Sequence, residues 1–172
     1  ITFIGPGAFK STAYYKEKSN WENGVLYVGN HLVATMESFS GEYAIKPGTL
    51  TIADWAFSSR SGLTGITIPD SVTSIGYGAF SWCESLRSIT IPVGVTSIES
   101  STFDACINLN SLILPRSSSI VTLDNTDALA MSGLCYIYVP QALLSEYQSA
   151  TNWSTYSNRF RAIEDYPDIV GG

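Results

Sequence analysis

The chain has 172 residues, of which 45% are hydrophobic and only 14% charged; that suffices for one domain with a sizeable core and excludes a disordered chain. Nine Lys plus Arg against 15 acidic residues leave a formal net charge of −6, which argues against a nucleic-acid binder, normally basic on one face, and disfavours an anionic membrane surface. No apolar run approaches the roughly 20 residues that cross a bilayer.

Residues 1–9, ITFIGPGAF, match Val72–Phe80, VTSIGYGAF, at Thr, Ile, Gly, Gly, Ala and Phe. They read as a partial repeat, so further repeats or a capping segment are expected upstream. Ile1 is not Met and no signal-peptide pattern follows it. Residues 10–44 interrupt the repeat as a hairpin insertion. Val25–Val28 and the run from His31 to Met36 are β-prone, and Gly29-Asn30 between them is a two-residue turn signal. The hairpin is inserted in, or replaces, part of one copy.

Residues 45–140 carry the repeats, at an offset of 23. Leu63, Leu86 and Leu109 align. So do Ile66, Ile89 and Leu112, and Ile68, Ile91 and Leu114. Pro69, Pro92 and Pro115 follow, with Ile52, Ile75 and Ile98, and Phe57, Phe80 and Phe103. A period in the twenties with a Leu-x-x-Ile-x-Ile core signals a leucine-rich solenoid. Each copy is expected to place a strand on that core and end it at the proline, where no ladder bond is lost. A shorter strand is expected at Val72–Ile75 and its equivalents. Gly76–Phe80 should turn the corner, its glycines free to take positive φ, with Phe80 filling the interior. After Pro115 the period lengthens to Pro140.

Residues 141–163 change character. Leu143, Tyr147 and Ala150 fall at i, i+4 and i+7, a helical spacing. Asn152–Phe160 is expected to add a second short helix with Trp153 and Phe160 facing the last copy. Such a cap would cover an otherwise open sheet edge. Residues 164–172 read as a tail or linker, so that 1–163 form the domain. The fold class is mainly β: a solenoid of 23-residue coils, an inserted β-hairpin and a short C-terminal helical cap.

The pattern AFxxCxxLxxIxIPxxVTSIxxxAF, best kept over Ala79–Phe103, resembles the BspA-like leucine-rich repeats of bacterial surface proteins. The insertion with Tyr14-Tyr15 and the ending from Val139 to Ser154 resemble segments of the same family. The resemblance implies a bacterial cell-surface or secreted, non-enzymatic module that binds a macromolecule in an adhesin-like way. The expected partner is an extracellular protein, from host matrix or host surface, or else a glycan; a structural spacer in a larger surface protein is a further alternative. No cofactor or nucleic-acid partner is implied, and a monomer is expected.

The residues themselves offer little chemistry. His31 is the single histidine, with no thiolate or carboxylate at ligand spacing, and reads as a surface residue. Three cysteines are too few and odd in number for a disulfide framework. Cys83 and Cys106 align and read as a ladder of buried thiols, although a disulfide between neighbouring copies is within reach. Cys135 reads as core or edge. No serine sits in a Gly-x-Ser-x-Gly elbow, Gly5-Pro6-Gly7 lacks the Lys and helix of a phosphate loop, and no metal site is expected. Asn152-Trp-Ser fits a glycosylation sequon. Strand alternation sends Thr67, Ser88, Thr90, Ser111, Ile113, Tyr136 and Tyr138 outward. These are the candidate binding residues, with Ile113 between the tyrosines as an anchor cluster. Alternatively, the cap or the chain end covers Tyr136 and Tyr138. For a glycan, Trp21 or Trp82 would supply the flat aromatic.

Overall fold

The computed structural model describes residues 8–169. Most of the partial repeat expected over 1–9, with its Gly5-Pro6-Gly7 corner, and the final Gly171-Gly172 lie outside the described residues. The architecture is mainly strand with few helices. In chain order it comprises α1 (Ala13–Lys16), β1 (Trp21–Glu22), β2 (Val25–Val28), β3 (His31–Thr35), β4 (Ser40–Ala44), β5 (Thr51–Ile52), β6 (Gly62–Thr67), β7 (Ser74–Ile75), β8 (Ser88–Thr90), β9 (Ser97–Ile98), β10 (Ser111–Ile113), β11 (Thr122–Leu123), β12 (Tyr136–Val139), α2 (Leu144–Ser149) and β13 (Phe160–Ala162).

Equivalent strands of successive copies pair in parallel. Ser88, Ile89 and Thr90 face Ser111, Leu112 and Ile113, which face Tyr136, Ile137 and Tyr138. Alternation buries Ile89, Leu112 and Ile137 on one side of these strands. The short strands pair likewise, Thr51-Ile52 with Ser74-Ile75 and Ser97-Ile98 with Thr122-Leu123. One apolar core joins Ile52, Ile75, Ile98 and Leu123 to Leu63, Ile89, Leu112 and Ile137. Within it, Phe57, Phe80 and Phe103 form a column, with centroids 5.2 and 5.7 Å apart and planes within 13° and 6°. β6, β8 and β12 are each followed by a proline whose carbonyl accepts from the third residue on, Val72 N–H to Pro69, Val95 N–H to Pro92 and Leu143 N–H to Pro140, so the proline opens the turn.

The corners carry their own ladder. Trp55, Phe57 and Ser59 N–H donate to Tyr77, Ala79 and Ser81 carbonyls of the next copy. Gly78, Phe80 and Trp82 N–H repeat this toward Ser100, Thr102 and Asp104. Turning alternate amides toward the neighbour puts two residues per copy in the left-handed region: Trp55, Gly78 and Ser101 at one position, Ser59, Trp82 and Ala105 at the other. Glycine fills only one of these six. Gly76 is not left-handed; a Cβ there would lie 2.5 Å from Asp54 N, so close backbone approach is what requires it.

The hairpin is present as β2 and β3, joined at Gly29-Asn30. Gly29 takes φ +57° while Asn30 stays out of the left-handed region, matching the φ demand of a turn with glycine first. β1 adds a third strand. β3 then lies parallel to β5, His31 against Thr51 and Leu32 against Ile52, so it takes the place of a short strand. β4 pairs in parallel with β6, Tyr43 opposite Ile66. The repeat's long strand thus resumes at Ser40, within the stretch read as insertion.

At the C-terminus, α2 buries Tyr147, whose hydroxyl accepts from Val121 N–H at 2.8 Å. The second short helix expected over Asn152–Phe160 is present as a 3-10 helix, Trp153–Arg159, and ends at a strand. Trp153 is buried, its Nε1–H donating to Val121 O at 2.7 Å. Phe160 opens β13, which pairs in parallel with β12, Phe160 against Ile137.

Candidate functional site

The predicted stripe lies on the outer side of β6, β8, β10 and β12. Thr67, Ser88 and Thr90 are exposed and Ser111 is half-buried. At the C-terminal end the expectation is corrected: Ile113 is 2% and Tyr138 6% exposed, whereas Tyr136 keeps 40%. For Tyr138 the cause is the segment read as a tail. Tyr166 meets Tyr138 edge-on with ring centroids 5.3 Å apart, and Glu164 Oε2 accepts from Gln141 N–H at 2.9 Å. β13 brings Arg161 over the Tyr136 ring, 4.9 Å from its centroid. For Tyr138 the alternative reading, cover by the chain end, is the one that holds; packing of residues after 163 carries no periodic sequence signal that could decide between the two.

Other singled-out residues resolve differently. His31 is not on the surface: it is buried, its Nδ1 2.8 Å from Thr51 Oγ1 of the neighbouring parallel strand. Its register on β3 puts it there. Cys83 and Cys106 are free buried thiols that donate to Phe57 O at 3.2 Å and Phe80 O at 3.0 Å, one copy back. Burial pushes both thiols up, Cys106 to about 12, so neither is a nucleophile at neutral pH. Cys135 is exposed. Asn152 takes φ 64° and donates both amide hydrogens, to Leu123 O and Asp124 O, which engages the nitrogen a sequon would offer. Among the described residues no group of three or more His, Cys, Asp or Glu is placed to hold a metal ion.

One aromatic feature was missed, beside the Trp82 already singled out. Trp55 and Tyr77 form an exposed edge-to-face pair, centroids 4.8 Å apart, on the corner ladder. Trp82, 49% exposed, sits one position over at the second left-handed site. Trp21, by contrast, is half-buried with its Nε1–H committed to Tyr15 O. The sequence places Trp55 and Trp82 in the repeat, but nothing in it marks their backbone as left-handed.

Parallel strands recurring once per copy, corners bonded copy to copy and a shared aromatic column define a β-rich repeat protein. The sequence matches the model of the BspA type leucine rich repeat region in 6 copies, over residues 2–132 and 50–154. The chain belongs to that family. Among solved structures it is similar to a leucine rich cell surface protein from Faecalibacterium prausnitzii, with 25% identity and TM-score 0.50 over 67% of this chain and 37% of that one. It is also similar to a leucine-rich repeat protein from Bacteroides ovatus, with 19% identity and TM-score 0.49 over 80% and 45%. The chain thus spans less than half the length of either relative. No curated protein matches it.

Proposed function

We propose that the chain is a leucine-rich repeat solenoid of 23-residue coils, with an inserted hairpin and a helical C-terminal cap. We further propose that it works as a non-enzymatic module, at the bacterial cell surface or secreted, binding an extracellular protein in an adhesin-like way. Family membership and the likeness to a cell surface protein support the setting. The observation that carries the binding role is the open strand face. Small side chains of successive copies stand exposed on it, Thr67 on β6 and Ser88 and Thr90 on β8, and Tyr136 closes one end. With small residues giving shape and little energy, the aromatic should dominate.

Immobilised host matrix proteins titrated with the chain test this. Tyr136→Ala is expected to weaken binding by about 1–2 kcal/mol, while Thr67→Ala changes it by less than about 0.5. Tyr138→Ala should instead lower the melting temperature, because Tyr138 is packed under Tyr166. Equal binding by the Tyr136 and Thr67 variants would remove the strand face from consideration.

A further inference from the structure

Four of the nine basic residues of this acidic chain line one concave surface. Lys10, Lys16, Lys18 and Arg60 border a groove between the α1 segment and the corner that ends at Arg60, with Tyr15 and Trp21 on its wall. The groove continues inward, past Thr35 and Arg60, into a cavity of about 250 Å³. Glu37 lies on its rim and Asp54 inside it, so the balance of charge there is positive on a molecule that is negative as a whole. Among the described residues no carboxylate lies within 4.0 Å of any of the four cations.

Arg60 is held as a fixed donor. Its Nε–H donates to Thr35 Oγ1 at 2.9 Å, Nη2 to Thr35 O at 2.6 Å and Nη1 to Ser58 O at 2.8 Å. Thr35 is buried and its hydroxyl donates a hydrogen bond to Ala56 O at 2.7 Å, which locks the assembly to the corner. A guanidinium has five N–H donors; three are engaged and two remain. The group is therefore half-buried, oriented and without an acidic partner. An arriving oxyanion would complete it with charge-assisted hydrogen bonds.

The walls narrow the class of anion. Tyr15 and Trp21 stand edge-to-face with centroids 5.1 Å apart, and the indole N–H is tied to Tyr15 O, so both rings are rigid apolar surfaces beside the cations. A pyranose can lay its C–H face on such a ring while its acidic substituent reaches the guanidinium. An acidic peptide could meet the same cations through its carboxylates, but it offers no flat C–H face to pack on Tyr15 and Trp21. We propose that this groove binds an acidic saccharide, its carboxylate or sulfate held by Arg60 and the lysines and its ring packed on Tyr15 and Trp21. The site is separate from the strand face and does not depend on it.

The test is titration of the full chain with an oligogalacturonide, a sulfated oligosaccharide, a neutral oligosaccharide of the same length and hexaglutamate, by calorimetry and tryptophan fluorescence. At least one charged saccharide should bind at least about tenfold tighter than both controls, and the two charged arms separate carboxylate from sulfate. Affinity should fall about tenfold or more between about 50 and 500 mM salt. Arg60→Gln, and separately the double variant Lys16→Gln/Lys18→Gln, should each weaken binding by about tenfold. Arg60→Gln also removes bonds to Thr35, so the lysine variant, which leaves the fold's contacts intact, decides if the first melts early. Equal binding of hexaglutamate would reduce the groove to a general polyanion patch. Equal binding of the neutral sugar, unchanged affinity in the lysine variant, or no charged saccharide bound at millimolar concentration would each overturn the proposal. Matrix-protein binding measured on the same variants separates this outcome from failure of the strand-face reading.

Discussion

Phe80 lies between Phe57 and Phe103, fully buried, with its ring nearly parallel to both. Removing its ring would leave a cavity with packed aromatics on two sides, and Phe80→Ala should cost about 3–5 kcal/mol in chemical denaturation. A loss below about 1 kcal/mol would mean that the column is not what holds neighbouring copies together. The left-handed corners give a paired expectation. Ser101 adopts φ 55° with a Cβ, a conformation that costs about 1–2 kcal/mol in a non-glycine residue. Ser101→Gly should relieve part of this, by up to about 1 kcal/mol after the added chain entropy. At the equivalent Gly78, φ is 59° and a Cβ would lie 2.4 Å from the Trp55 ring. Gly78→Ala should therefore destabilise by more than about 1 kcal/mol, and thermal melts of the two variants should move in opposite directions.

Among the elements, the C-terminal segment is tied on by specific polar contacts. Val121 is the point of attachment: its N–H donates to Tyr147 Oη and its carbonyl accepts from Trp153 Nε1. Burial pushes the Tyr147 phenol up to about 12, so it stays neutral and keeps its lone pairs for Val121. Tyr147→Phe would strand a buried amide at nearly unchanged volume, costing about 1–3 kcal/mol. Hydrogen exchange should show the loss first at Val121 and along α2 and β13. If instead protection falls evenly across the chain, the segment unfolds only together with the copies it covers.

For the molecule as a whole, the buried thiols set an alkaline limit. Burial, followed by the neighbouring Cys106, holds Cys83 up. Cys106 rises from 9.0 to about 12, chiefly through burial. A folded-state pKa above the unfolded one leaves stability intact below about pH 9. Stability is then lost as pH climbs toward 12, because the unfolded chain ionises first. Cys106 by itself would contribute a loss of up to about 4 kcal/mol across that window. Urea melts at rising pH should show the decline, and Cys106→Ala should flatten it. A parent whose stability is level from pH 8 to 11 would contradict the burial of these groups.

What the sequence determined by itself is what recurs. The 23-residue offset aligns Ser88 with Ser111 and Ile52 with Ile75, the same residues that pair in parallel ladders, because each copy must bury the same apolar face on its neighbour. The Phe column and the aligned cysteines were legible for that reason, and the hairpin, which occurs once, from the local turn signal of Gly29-Asn30. Only the tertiary structure decided the long-range contacts that occur once. Tyr166 covering Tyr138, His31 buried against Thr51 and Arg60 fixed on Thr35 each join segments without a shared period. The left-handed corners were hidden too, although they do recur. Serine, alanine and tryptophan occupy five of the six positions and only Gly78 marks the backbone, because the demand comes from hydrogen bonds to the adjacent copy and not from the local sequence.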